Sequence, residues 1–124
     1  MIFSDNIPIF VQIAERLSDE ILAGNYAEGE RVPSVREYSV LLEVNVNTTV
    51  KAYDLLSSRG IIYNRRGLGY FVSPNAREII LQARREEFMQ DVLPDFLRRM
   101  HQLDVSIETV EAAYRDYLDT ADTE

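Results

Sequence analysis

The sequence predicts a mainly α protein with one small β-hairpin, an α+β class, and three observations predict it. Apolar residues recur at helical spacing along most of the chain. One stretch alone, "IIYNRRGLGYFV" at 61–72, sets two short β-prone runs around a glycine-bearing tip. Proline, serine, asparagine and glycine stand where such helices would begin and end.

The first helix is expected to open near Pro8, at the first helical position, where proline's missing N–H costs nothing. Ile9/Phe10, Ile13, Leu17 and Ile21 form its apolar stripe, and Gly24 stops it. "NYAEGERV" reads as a turn with room for one short strand. Ser34-Val35-Arg36-Glu37 is a capping box, in which the serine oxygen and the glutamate each satisfy a free N–H. The helix it opens turns Val35, Tyr38/Ser39 and Leu42 inward. Glu43-Val44 makes a tight link, Asn45 caps a third helix, and that helix ends at Gly60. Strands at 61–63 and 70–72 then make the hairpin.

Three helices and a hairpin in this order describe a winged helix-turn-helix, assigned to residues 1–73. "SPNA" at 73–76 is the junction to a helical region, 74–124. There, Phe88, Met89, Val92, Leu93, Phe96, Leu97, Met100 and Leu103 keep helical spacing across Pro94, which predicts a kinked helix or two abutting ones. Ser106 caps a last helix with Ile107, Val110, Tyr114 and Tyr117/Leu118 on one face, and the tail "DTADTE" is expected to fray. Two such stripes cannot be buried by two helices alone. The region is therefore expected to dimerise through Phe88, Val92, Phe96, Met100, Val110, Tyr114 and Tyr117.

Composition narrows the function. The chain has no cysteine, so disulfides and thiolate metal sites are excluded, in keeping with a reducing cytoplasm. No apolar run approaches the roughly 18 residues that span a bilayer, and the start "MIFSDNIPIF" is not a secretory signal. Neither metal nor cofactor is expected. The single histidine, His101, lies on a polar helix side, and Glu86-Glu87 diverge as sequence neighbours on a helix, so enzyme chemistry has little to build on.

The net charge of −8 argues at first against a polyanionic partner. It is unevenly placed. Residues 1–73 hold seven Lys/Arg and nine Asp/Glu, whereas 74–124 hold six and twelve. Five of the seven basic residues of the first part follow position 35, where the polar-fronted third helix lies.

On that helix, at about 100° per residue, Thr49, Ala52, Tyr53 and Leu56 face the core. Asn47, Lys51 and, at the flank, Thr48 face away, with Val50 at the border. A helix entering the major groove end-first reads bases with its first residues. Asparagine matches an adenine edge, and threonine a thymine methyl. Lys51 and Arg36 suit phosphate, and the free N–H groups at Ser34 and Asn45 suit an anion. Arg65 and Arg66, beside Gly67, suit a narrow minor groove. Each residue alone has a plainer reading as a cap or a solvated turn; their order favours DNA.

From Pro8-Ile9-Phe10-Val11-Gln12-Ile13, through "GERVPSVRE" at 29–37, "VNVNT" at 44–48 and Lys51-Ala52-Tyr53, to "GIIYNRRGLGYFV" at 60–72, the sequence resembles the GntR family of bacterial transcription regulators, in its short YtrA-like subfamily. The resemblance implies DNA contacts at Ser34, Arg36, Asn45, Asn47, Thr48, Lys51, Arg66 and Gly67. It also implies a two-helix dimerisation region in place of a large ligand-binding domain. Val46 stands where many relatives carry Arg or Pro, and Val50 where they carry Arg or Gln, so a base-reading guanidinium is missing twice. The function implied is a homodimeric repressor of a palindromic operator on double-stranded DNA, in this subfamily often one controlling an ABC transporter operon. A small-molecule effector of unspecified chemistry remains a possible partner, with a dimer interface the place for its pocket. The alternative is a winged-helix interaction module without DNA binding, for which the acidity and the two valines speak.

Overall fold

The computed structural model describes residue 3 and residues 6–122. Among the described residues, six α-helices and one hairpin follow in the order α1 (Ile9–Leu22), α2 (Val35–Leu42), α3 (Val46–Ser58), β1 (Ile62–Arg65), β2 (Gly69–Val72), α4 (Ala76–Glu87), α5 (Leu93–Gln102) and α6 (Ile107–Asp122). The chain divides into two compact units, one through Ala83 and one from Arg84. The first therefore carries the opening turns of α4 as well as the winged helix-turn-helix.

In the first unit, α1 lays Ile13, Ala14, Leu17 and Ile21 against α3, as the period of its apolar residues requires. Pro8 is one position earlier than expected. It is the N-cap residue, extended at ψ 141, and its carbonyl accepts from Val11 and Gln12. From α2 come Tyr38 and Leu42, and from α3 Ala52, Tyr53 and Leu56, all buried. Ile62 and Val72 close the core from the hairpin, and Ala76 and Ile80 from α4.

The hairpin is longer than the sequence suggested, pairing Ile62 with Val72, Tyr63 with Phe71, Asn64 with Tyr70 and Arg65 with Gly69. Its tip is only 66–68, closed by the Leu68 N–H donating to the Arg65 carbonyl at 2.8 Å. Gly67, at φ 78, takes the third position of this turn, where a type II geometry needs a positive φ. The short strand sought in "NYAEGERV" reduces to a single bridge, Arg31 to Phe71, supported by Val32 N–H to Tyr70 O and Val72 N–H to Glu30 O.

In the second unit the residues before Pro94 resolve the expected kink. Phe88–Val92 form a π-helical turn, in which the Leu93 N–H reaches back five residues to the Phe88 carbonyl. Pro94 cannot donate a helical bond, and widening the preceding turn accommodates its ring without ending the helix. Ser106 Oγ accepts from the Thr109 N–H and so opens α6. The last two tail residues, Thr123 and Glu124, lie outside the described residues, while α6 itself runs into the tail as far as Asp122.

Leu56 is fully buried and Val50 is exposed on the same helix, so they calibrate this core. Leu56→Ala should lower unfolding free energy by about 2–5 kcal/mol in urea titration. Val50→Ala should change it by no more than about 0.5 kcal/mol.

Candidate nucleic-acid interface

Three short segments carry the exposed candidate residues of the first unit: the start of α2, the start of α3 and the hairpin tip. At the first, the capping box is complete. Ser34 Oγ accepts from the Glu37 N–H at 3.0 Å, and Glu37 Oε1 accepts from the Ser34 N–H at 3.2 Å. Hydrogen bonding to the carboxylate, first from the Ser34 side chain and then from the Ser34 N–H, holds the Glu37 carboxyl below its ordinary pKa, with a smaller contribution from Arg31.

The turn between α2 and α3 is tight because Glu43 adopts a left-handed conformation, φ 56, letting the Val44 N–H return to the Ser39 carbonyl. Asn45 then caps α3, its Oδ1 accepting from the Asn47 N–H at 2.8 Å. Inside the angle between the helices, Ser39 Oγ donates to the Val35 carbonyl and lies 2.8 Å from Thr49 Oγ1. Tyr38 and Tyr53 pack ring to ring at 6.1 Å, and Tyr53 meets Tyr70 edge-on at 5.0 Å. The Tyr53 hydroxyl donates to the Pro33 carbonyl at 2.6 Å, and that of Tyr38 to Glu20 at 2.9 Å. Burial foremost pushes both phenols far above their usual range, so they stay neutral donors.

With the inner face so occupied, Asn45, Asn47 and Lys51 are exposed and Thr48 is half-buried. Asn47 and Lys51 are one turn apart and form one ridge, with Val46 and Val50, also exposed, forming the ridge beside it. Arg36 is exposed in the first turn of α2, while Ser34 is half-buried in its cap. Arg66 and Gly67 are exposed in the tip. Arg65 differs from its neighbour. It ends β1, and its guanidinium stacks over Phe71 at 5.2 Å, on the hairpin face where Tyr63 and Phe71 pack together. Among the described residues, the ion pairs of this unit engage Arg16, Arg31 and Arg59, and not Arg36, Lys51 or Arg66.

Arg31 was absent from the sequence-derived candidates. Its guanidinium lies against Gly69 beside the hairpin tip, and its Nη2 is 3.8 Å from Glu37 Oε1. Only the bridge to Phe71 brings it there, and no local pattern in "EGERVPS" announces that pairing.

The sequence profile of bacterial regulatory proteins, gntR family, matches residues 10–72. The chain belongs to the GntR family. This is a family of transcriptional regulators and not of enzymes, and the matched residues span the winged helix-turn-helix DNA-binding domain. This GntR chain is 30% identical to the uncharacterised HTH-type transcriptional regulator YhcF of Bacillus subtilis over 86% of each chain. It is 36% identical to the HTH-type transcriptional repressor YtrA of the same organism, over 62% of this chain and 59% of that repressor. A GntR-family structure from Bacteroides thetaiotaomicron superposes with a TM-score of 0.81 at 40% identity, covering 91% of this chain and 98% of the other. The DNA-binding domain of AraR, solved in complex with operator ORX1, matches 58% of this chain and 93% of its own, with a TM-score of 0.55 at 27% identity. Among the described residues, no helix is long and apolar enough to cross a membrane, and no acidic, histidine or cysteine cluster is arranged to hold a metal.

The depressed Glu37 carboxyl fixes a sign for acid behaviour. Its capping contribution is fully present above the ordinary glutamate pKa and is lost as pH falls through the lower, folded value. Glu37→Gln keeps the box geometry without that titration. Stability measured from pH 6 downward should therefore fall less steeply in the variant than in the parent.

Proposed function

We propose that this GntR-family regulator is a cytoplasmic homodimeric repressor whose two winged domains bind a palindromic operator in double-stranded DNA. The observation that carries the reading is the exposure of Arg36, Asn47, Lys51 and Arg66, with Thr48 half-buried, at the hairpin tip and on helices whose inner faces are engaged. Asn47 and Thr48 read bases from the first turn of α3, with Ser34 and Asn45 as the caps that aim the two helices. Lys51 and Arg36 meet phosphate, and Arg66 enters the adjoining minor groove over Gly67. Arg65 supports the wing through Phe71 and adds charge beside the tip. Val46 and Val50 present an apolar ridge in place of guanidinium groups, which favours thymine methyls and A·T-rich half-sites. The AraR domain solved on its operator and the repressor YtrA support the DNA and repressor assignments. The resemblance to short YtrA-like regulators extends the reading to an ABC transporter operon.

Support for the dimer comes from the second unit. No residue from Leu81 to Asp122 is buried, and Phe88, Val92, Phe96, Tyr114 and Tyr117 are each at least 44% exposed. Met100 and Val110 are half-buried on the same helices. Apolar surface of this extent marks an interface, and a second copy of the same helices completes a bundle. Two linked half-site contacts then multiply a modest single-domain affinity.

Two measurements test the reading. Arg36→Ala and Thr48→Ala should each weaken binding to a duplex selected from a random pool by roughly 5- to 100-fold, about 1–3 kcal/mol, with an unchanged melting temperature. Parent-like binding by both would place the reading face elsewhere. Separately, Phe96→Glu should halve the mass seen by sedimentation while helical circular dichroism persists. A mass unchanged by that charge would overturn the interface.

A further inference from the structure

Arg31 lies outside every helix and strand of the regulator, yet it joins two of the segments that face DNA in the proposed complex. One end of its guanidinium closes on the wing. A Cβ built on Gly69 would stand 2.9 Å from Arg31 Nε, 3.5 Å from Nη2 and 3.6 Å from Cζ. Gly69, at φ 107, is thus glycine both for its backbone and for the space the guanidinium fills. The other end faces α2, with Nη2 3.8 Å from Glu37 Oε1. That oxygen is already an acceptor, taking the Ser34 N–H. The pair is long and both side chains are more than half exposed, 53% and 64%, so Glu37 holds Arg31 weakly.

A backbone phosphate group is a better partner than this shared carboxylate. It carries a full charge, accepts two parallel guanidinium bonds and is not engaged in a cap. We infer that Arg31 is a further DNA-backbone contact, pre-positioned against Gly69 beside the tip of the wing, and that Glu37 competes with phosphate for its guanidinium. The inference rests on the DNA-binding reading above. On binding, Arg31 turns from Glu37 to the phosphate between the wing and α2, while the Glu37 side chain stays on the Ser34 N–H. Glu37 thereby has two roles, capping α2 and setting how much of the Arg31 charge reaches DNA. In a chain of net charge −8 such a restraint also limits non-specific attraction.

The test measures affinity against salt for the parent, Arg31→Ala, Arg31→Lys, Glu37→Gln and the double variant Arg31→Ala/Glu37→Gln, on the duplex that the parent selects from a random pool. Arg31→Ala should bind about tenfold more weakly, and its plot of log affinity against log salt should lose about 0.9 per symmetric contact. Arg31→Lys should keep the salt slope. Glu37→Gln, which retains the cap, should tighten binding about two- to fivefold, and only when Arg31 is present. Circular dichroism on each variant separates these effects from unfolding. Weakened binding with an unchanged slope and no coupling to Glu37 would make Arg31 a wing brace only and overturn the inference. Parent-like binding by Arg31→Ala, while Arg36→Ala is impaired, would overturn it and leave the DNA reading intact. No selection of any duplex by the parent would remove that reading, and the inference with it.

Discussion

Tyr53 is the point on which the first unit depends. Its ring is fully buried in α3, touching Tyr38 of α2 and the edge of Tyr70 in β2. Its hydroxyl donates to the carbonyl of Pro33, the residue before the Ser34 cap. One side chain therefore ties together α3, the helix proposed to enter the major groove, with α2, the hairpin and the loop that enters α2. Burying a phenol without a partner would be costly, and the 2.6 Å bond removes that cost while fixing direction. The Ser39–Thr49 contact acts in the same sense from within the helix angle. Small movements of α3 would break several of these contacts together, so its exposed side is presented rigidly.

That rigidity lets an acidic chain carry a face for a polyanion. A local set of cations held in fixed positions matters more at contact distance than the net charge seen from afar, which salt screens within about 10 Å. Arg16 and Arg59 pair with Glu20 and Glu15, and Arg65 is partly committed to Phe71. Among the described residues Arg36, Lys51 and Arg66 enter no ion pair, which leaves their charge for the proposed DNA partner. The division is one of geometry, since nothing in composition separates these arginines from one another.

The second unit has a different economy. Its helices are held by local devices: the π turn ahead of Pro94, the Asp95 carboxylate with Arg98 and Arg99, and the Ser106 cap. Its apolar side chains do not form a core of their own among the described residues. Helices of this length owe most of their stability to packing of an amphipathic face. Such a unit is completed by a partner surface, and the proposed dimer supplies one.

Much of this was legible in the sequence because it is local. The capping box at Ser34–Glu37, the Asn45 cap, the inward set Thr49, Ala52, Tyr53 and Leu56, and the hairpin at 62–72 all follow from side-chain chemistry within a few residues. The outward positions of Asn47, Lys51 and Arg66 follow from the same periodicities. What the sequence could not decide was pairing between distant segments. Arg65 and Arg66 are identical neighbours, yet one stacks on Phe71 and the other stands at the tip, because the strand ends between them. Arg31 reaches Gly69 and Glu37 only through the bridge that folds its loop onto β2. Sequence determined the helices, the caps and the side each residue faces, since these depend on neighbours along the chain. Tertiary structure alone decided which charges are spent inside the protein and which are left for a partner, because that depends on residues nearly forty positions apart meeting in space.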